Sequence, residues 1–272
     1  MTLIAIWLEN ETLWAASDTQ ISALGGSSVL TDAGSKILPL SIKWGIPDEE
    51  PQTIKFIGAS VGFAFSGRVL PAMMTYALSN TCLLNLMSDK AVSPDLSDCA
   101  ELVRKVAERF LVESAGQLQK NGLFSVAMFG QCPATQRLRA FEISPAKQEA
   151  GPIQMRLEEI NLGNHAMIVM GSGKADRQAF RDRVAAIEKD GDRDGNKEMA
   201  PQSALKEAII DKKIAGVGGA LQMAHAVAGE LILNAVLTVA DENKFGRSVL
   251  GVDVDALEPV GAFTVSIPLL AG

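Results

Sequence analysis

The chain has 272 residues, 47% of them hydrophobic and 21% charged, with a formal net charge of −7. That composition is globular and ample for a packed core, and its acidic balance argues against a nucleic-acid binder, whose phosphate contacts need a basic face. No apolar run approaches the ~20 residues that span a bilayer, and the opening MTLIAIWLENE lacks the basic flank of a signal peptide, so a cytoplasmic protein is expected.

Residues 2–8 (TLIAIWL) read as a buried strand, Glu9-Asn10-Glu11 as a turn and 12–17 (TLWAAS) as a second strand, together a β-hairpin. Asp18 stands where the second strand ends. Small polar residues over 23–35 read as a loop, and Lys36 opens a strand, KILPLSI. Two prolines and several acids mark 41–53 as a surface insertion, and 54–66 (IKFIGASVGFAFS) as a strand pair ending at Gly67. A helix is predicted over 68–88, with Pro71 in its first turn, where a missing N–H costs little. A second covers 94–119, where Leu102, Val103, Val106, Phe110 and Leu111 recur at helical spacing. Shorter β-type segments follow at 124–129, 138–143, 155–162 and 166–170; the last runs into Gly171-Ser172-Gly173 and a polar helix over 174–189. Residues 190–212 contain a hydrophilic insertion, a helical stretch covers roughly 201–236, broken by Gly216, Gly218 and Gly219, and strands are expected at 237–240, 248–254 and 262–268. Strands, helices, strands, helices, strands is an α+β order that a four-layer α-β-β-α sandwich satisfies. One domain over 1–272 is expected, with insertions at 41–53 and 190–212.

Several chemistries lack their residues. Cys82, Cys99 and Cys132 are scattered without a CxxC pair, so they read as buried small hydrophobes and not as a disulfide framework or a zinc site. His165 and His225 stand in no HxxxH pattern and near no paired Ser or Cys, so catalysis must use other bases. Asp190-Gly191-Asp192-Arg193-Asp194-Gly195 begins like a calcium loop, but its twelfth position is Pro201 and the bidentate carboxylate is missing. The GVGG at 216–219 has no preceding strand and is no nucleotide loop. No metal and no cofactor are expected.

What remains is the N-terminus. Removal of Met1 would leave Thr2 with a free α-amine, pKa about 8, beside its own hydroxyl, and that amine can take the hydroxyl proton. Thr2, Asp18 at the end of the second strand and Lys36 at the start of the third fall in an order that resembles proteasome β-type subunits and the bacterial proteasome-like peptidase that works with an unfoldase ATPase, a family of N-terminal-nucleophile hydrolases. Thr2 to Asp18 matches that family's spacing without a gap, and Thr2 to Lys36 requires a two-residue insertion. GFAFSGRV (62–69) and MGSGKADRQAFRD (170–182) are similar to the family's turns before its first and third helices.

The resemblance implies a set of roles. Thr2 is the nucleophile. Lys36 acts on it, either as a cation that lowers its pKa or, when neutral, as the direct base. Asp18 pairs with Lys36. Gly67 donates its N–H to the oxyanion. Ser172 and Asp241 support the amine, and the next serine position of the family falls on Asn243 or Lys244, with Ser248 reachable through an insertion. Thr19, Gln20 and Ile21 would pair with the substrate backbone by β-augmentation, and Phe65 would shape the first specificity pocket. The expected partners are a peptide or unfolded-protein substrate, other copies of the chain in a homo-oligomeric ring or stack, and an unfoldase ATPase; nucleic acid and membrane are not among them. Two alternatives stay open: a catalytically inactive scaffold or gating subunit of the same fold, and a non-peptidase amidase.

Overall fold

The computed structural model describes residues 2–23, 28–48, 53–118, 123–146, 153–163, 166–171, 173–194, 199–241, 244–256 and 266–269. In chain order the elements are β1 (Leu3–Glu9), β2 (Thr12–Asp18), β3 (Ile21–Ser22), β4 (Val29–Thr31), β5 (Ile37–Pro47), β6 (Ile54–Gly67), α1 (Val69–Leu83), β7 (Leu86–Met87), α2 (Leu96–Leu118), β8 (Phe124–Gln131), β9 (Leu138–Ala146), β10 (Gln154–Glu159), β11 (Met167–Gly171), α3 (Lys174–Asp194), α4 (Ala200–Asp211), β12 (Leu221–Val227), β13 (Glu230–Asn234), β14 (Val236–Asp241), β15 (Lys244–Val249) and β16 (Val252–Asp253).

The unbroken apolar run of β1 has a simple cause: both of its faces are buried. Leu3, Ala5 and Trp7 point one way, into a core shared with Phe180 and Val184 of α3 and Ala204, Leu205 and Ile209 of α4. Ile4 and Ile6 point the other way, into a core shared with Ala64, Ala127, Phe129 and Ala140 of a second sheet. Period-two alternation puts successive side chains on opposite faces, so a strand covered on both sides reads as continuous hydrophobicity. The first sheet has the order β11-β1-β2-β12-β13 and the second β10-β9-β8-β6-β5-β7. On the outer face of the second sheet Phe63, Phe65, Val126 and Met128 meet Ala72 and Leu83 of α1 and Leu96, Ala100, Val103, Ala107 and Leu111 of α2. The small pairs β3-β4 and the three-stranded sheet β14-β15-β16 complete the β-structure among the described residues.

The opening hairpin is as expected. β1 pairs with β2 in the register Glu9↔Thr12, closed by Asn10 (φ 47°) and Glu11 (φ 58°), a two-residue left-handed turn whose twist suits a hairpin.

Four expectations need correction. Residues 41–47 are not an insertion but the outer part of β5, whose ladder with β6 runs unbroken from Ile37↔Ala64 to Pro47↔Ile54; Pro47 is tolerated because it is the terminal pair. Residues 54–66 form one long strand and not two. The insertion expected at 190–212 contains α4, which buries Ala200, Pro201, Ala204, Leu205 and Ile209 against the first sheet. The helix expected over 201–236 stops at Asp211, with Lys212 in the left-handed conformation, and 221–234 is the hairpin β12-β13. Its turn is Ala228 (φ 45°) and Gly229 (φ 79°). An alanine in that first position carries none of the Asn-Gly signal that marks such turns. The strand expected at 262–268 lies largely outside the described residues; of its neighbourhood, Leu269 bridges Ala235.

No helix among the described residues is long and apolar enough to cross a membrane. No group of three or more His, Cys, Asp or Glu among them is arranged to hold a metal ion.

Candidate active site

Thr2 precedes β1 and is 7% exposed, and Asp18 and Lys36 are buried, at 0% and 1%. β1 and β2 are hairpin partners, so the end of β2 returns Asp18 to the start of β1. There its Oδ1 accepts the N–H of Leu3 at 2.9 Å. The same oxygen lies 2.8 Å from Lys36 Nζ, while Oδ2 accepts the N–H of Gly218 at 3.2 Å. One carboxylate thus ties the residue after Thr2, the Lys36 ammonium and the loop before β12 together. Among the described residues Asp18 is the counter-ion of this buried ammonium. Burial pushes the Lys36 pKa below the ordinary lysine value of 10.5, against the opposing pull of the Asp18 charge. Burial and the Asp18 charge thus act on Lys36 in opposite directions, with burial the larger.

Sequence reasoning missed Gln222, the fixture of this arrangement. On β12, 4% exposed, its Oε1 accepts the N–H of Lys36 at 2.9 Å, the N–H of Ile37 at 3.0 Å and the hydroxyl of Ser17 at 3.3 Å. Its Nε2 donates to Ile37 O at 2.7 Å and to Ser35 Oγ at 3.0 Å. Every polar capacity of the amide is used, and the side chain bridges the first sheet to the start of β5 in the second. A lone glutamine in an apparently helical stretch offered no signal; the alternation of LQMAHAV was the clue to a strand. Gly218 was likewise visible only as part of a discarded nucleotide-loop reading, yet its N–H holds Asp18.

Two glycines are required by geometry. Gly171 (φ +90°) lies so close to Thr2 that a Cβ there would be 1.8 Å from the Thr2 carbonyl oxygen. Gly67 (φ +93°) would place a Cβ 2.6 Å from Leu123 O. Both conformations are left-handed and suit glycine. Thr2, Gly67 and Gly171 line one cleft of about 1290 Å³, larger than the ~300–1,000 Å³ of a typical small-molecule site.

Other expected residues fall elsewhere. Phe65 is 2% exposed and packs in the core under α1 and α2, with its ring 6.5 Å from that of Phe63; it does not line the cleft. The backbone at Thr19 and Gln20 is already paired within the chain: Thr19 N–H donates to Ala220 O at 3.0 Å, Thr19 O accepts from Gly34 N–H at 2.8 Å and Gln20 N–H donates to Gly218 O at 3.0 Å. The Thr19 hydroxyl bonds to Asp32 O and accepts the N–H of Ala220. Ile21 pairs with Thr31 in β3-β4. β-Augmentation through Thr19 and Gln20 would have to displace these bonds. Ser172 and Asn243 lie outside the described residues, as does the Asp241 side chain, although the Asp241 backbone pairs with Lys244 in β14-β15. Ser248 is buried at 5% in β15, opposite Val236.

No protein-family model and no curated protein matches the chain. Solved structures do match. Anbu (ancestral beta-subunit) from Yersinia bercovieri superposes with a TM-score of 0.53 at 14% identity, over 83% of this chain and 81% of that one. An Anbu (Gly-1) mutant from Hyphomicrobium sp. strain MC1 gives 0.53 at 13% identity, over 82% and 80%. The helical assembly of the Anbu complex from Pseudomonas aeruginosa gives 0.51 at 16% identity, over 82% and 80%. At such identity the likeness speaks for the fold alone: the chain has a proteasome-like, mixed α and β fold.

Proposed function

We propose that this chain is a threonine-type peptidase of the N-terminal-nucleophile class, a single proteasome-like domain whose two sheets and flanking helix pairs make a four-layer α-β-β-α sandwich. The observation that carries the reading is the buried Asp18–Lys36 pair at 2.8 Å, joined through the same carboxylate oxygen to the amide of Leu3, the residue that follows Thr2. Burying two charges is costly unless they are paired and held, and a buried pair tied to the residue that follows Thr2 supports a role in activating the Thr2 hydroxyl. After loss of Met1, Thr2 Oγ1 attacks a peptide carbonyl and its proton passes to the α-amine or to neutral Lys36. The N–H of Gly67 meets the developing oxyanion, the amine product leaves with a proton, and water cleaves the resulting ester. Ser172 and Asp241 are the candidates to hold the freed amine.

Self-association belongs to the same reading. A helical assembly is recorded for the Pseudomonas Anbu complex, and α1 carries an exposed apolar stripe here, Leu70, Met74 and Leu78, spaced four residues apart on one face. A cytoplasmic homo-oligomer, fed by an unfoldase ATPase, is the setting we propose. A catalytically inactive scaffold subunit is the second reading, favoured by one observation: the backbone at Thr19 and Gln20, where a substrate strand was expected, is occupied by the chain's own residues. Intact-mass measurement with an epoxyketone or β-lactone probe separates the two. The peptidase loses Met1 and is labelled at Thr2, with no labelling in Thr2→Ala; a Met-free protein that no probe labels supports the scaffold.

A further inference from the structure

The cleft that holds Thr2 has a charged wall. Lys174, Arg177 and Arg181 of α3 all line it, and their spacing of three and four residues sets them on one helical face. The chain carries an excess of acid, a formal net charge of −7, so a run of three cations facing one cleft is a local reversal of the molecule's charge. Glu142 is the single acidic residue among the described residues that line it. It sits half-buried opposite the run. Burial, then the charge of Glu158, hold its carboxyl pKa above the ordinary value, with the smaller opposing pull of Arg177, Arg181 and Arg156. Arg177 is also anchored: its Nη1 donates to Gly171 O at 2.7 Å, on the residue that abuts Thr2. Lys174 is exposed and Arg181 half-buried, and seven residues of helix separate them by about 10 Å, the reach of about three extended residues. The remaining described wall mixes apolar Leu123, Ile153, Val169 and Met170 with uncharged Ser66, Ser125, Ser144 and Gln178.

We propose that this cleft selects polypeptides with acidic side chains within a few residues of the bond that Thr2 attacks, their carboxylates drawn to Lys174 and Arg181. The proposal rests on the peptidase reading for the identity of the attacked bond, but peptide selection itself needs no turnover. In a partly enclosed cleft such pairs outweigh exposed ones, and they fix where the substrate chain lies as much as how tightly it binds.

The test uses the full-length Thr2→Ala protein, which binds without cleaving. Two rhodamine-labelled peptides of equal length differ only in two central residues, Glu in one and Gln in the other, and binding is read by fluorescence anisotropy. The Glu peptide is expected to bind about tenfold tighter at low ionic strength, a gap of roughly 1.4 kcal/mol. The gap should narrow toward 1 M salt, where the screening length falls to about 3 Å. Lys174→Gln with Arg181→Gln should remove most of it, and both positions are open enough to change without loss of the fold. Equal affinity for the two peptides, a preference for Gln, a gap insensitive to the double substitution, or no binding of either overturns the proposal. Because Thr2 labelling is measured separately on the parent protein, the two readings fail independently. Acid-selective binding by a protein that no electrophile labels would retain the cleft and discard the peptidase; labelling without selectivity would do the reverse.

Discussion

Lys36 is a buried side chain whose ionisation bears on stability. Its native pKa lies below the 10.5 of an ordinary lysine because burial disfavours the ammonium. In the window between the native value and the unfolded-chain value the unfolded state binds more protons, so this group's contribution to stability grows as pH rises through that window. Replacing it by methionine should flatten that part of the stability–pH curve relative to the parent, read as chemical denaturation midpoints across the alkaline range. A steeper curve for the variant would contradict the direction of the shift. Gln222 makes a complementary case. Gln222→Leu leaves the amides of Lys36 and Ile37 without their acceptor, each orphaned group costing about 1–3 kcal/mol. We expect a loss of about 3 kcal/mol in urea unfolding and slower electrophile labelling of Thr2. Gln222→Glu, which retains the acceptor oxygen, should recover part of the labelling rate; equal rates in all three proteins would show that Gln222 does not position Lys36.

The elements show which parts of this fold a sequence can reveal. The N-terminal hairpin was legible because its apolar run, turn and terminal Asp18 are contiguous, and α2 because its periodicity is strong. The long hairpin β5-β6 was hidden by Pro47 and by the small residues of β6, Gly58, Ala59, Ser60 and Gly62, which interrupt its apolar pattern. α4 and the hairpin β12-β13 merged into one expected helix because alanine suits both states and tertiary packing decides between them. For the site, Thr2, Asp18 and Lys36 could be picked out by order along the chain. Gln222, Gly218 and the basic wall of α3 could not, since only the pairing of β12 with β2 and the placement of α3 beside β11 bring them to Thr2. That α4 belongs to the core and is no surface insertion has a direct consequence. Leu205 is fully buried, so Leu205→Ala should cost about 2–5 kcal/mol, with the loss read by thermal or chemical denaturation. A change under about 0.5 kcal/mol, the range of surface positions, would remove α4 from the core.

At the scale of the whole molecule, the exposed apolar stripe on α1 and the self-association proposed above bear on whether the chain works alone. Sedimentation velocity should show species several times the mass of the 28.8 kDa chain, and Leu70→Glu with Leu78→Glu should shift them toward the monomer, because a charge in a covered apolar face is costly. A parent protein that is monomeric at all concentrations would end that part of the account. The proposed function turns on a free Thr2 that acts with the Asp18–Lys36 pair. Intact mass spectrometry of the purified protein, before and after an epoxyketone or β-lactone, tests it most directly. The account predicts a chain lacking Met1 that gains one probe adduct at Thr2 and gains none in Thr2→Ala. Retention of Met1, or an adduct that survives Thr2→Ala, would contradict it.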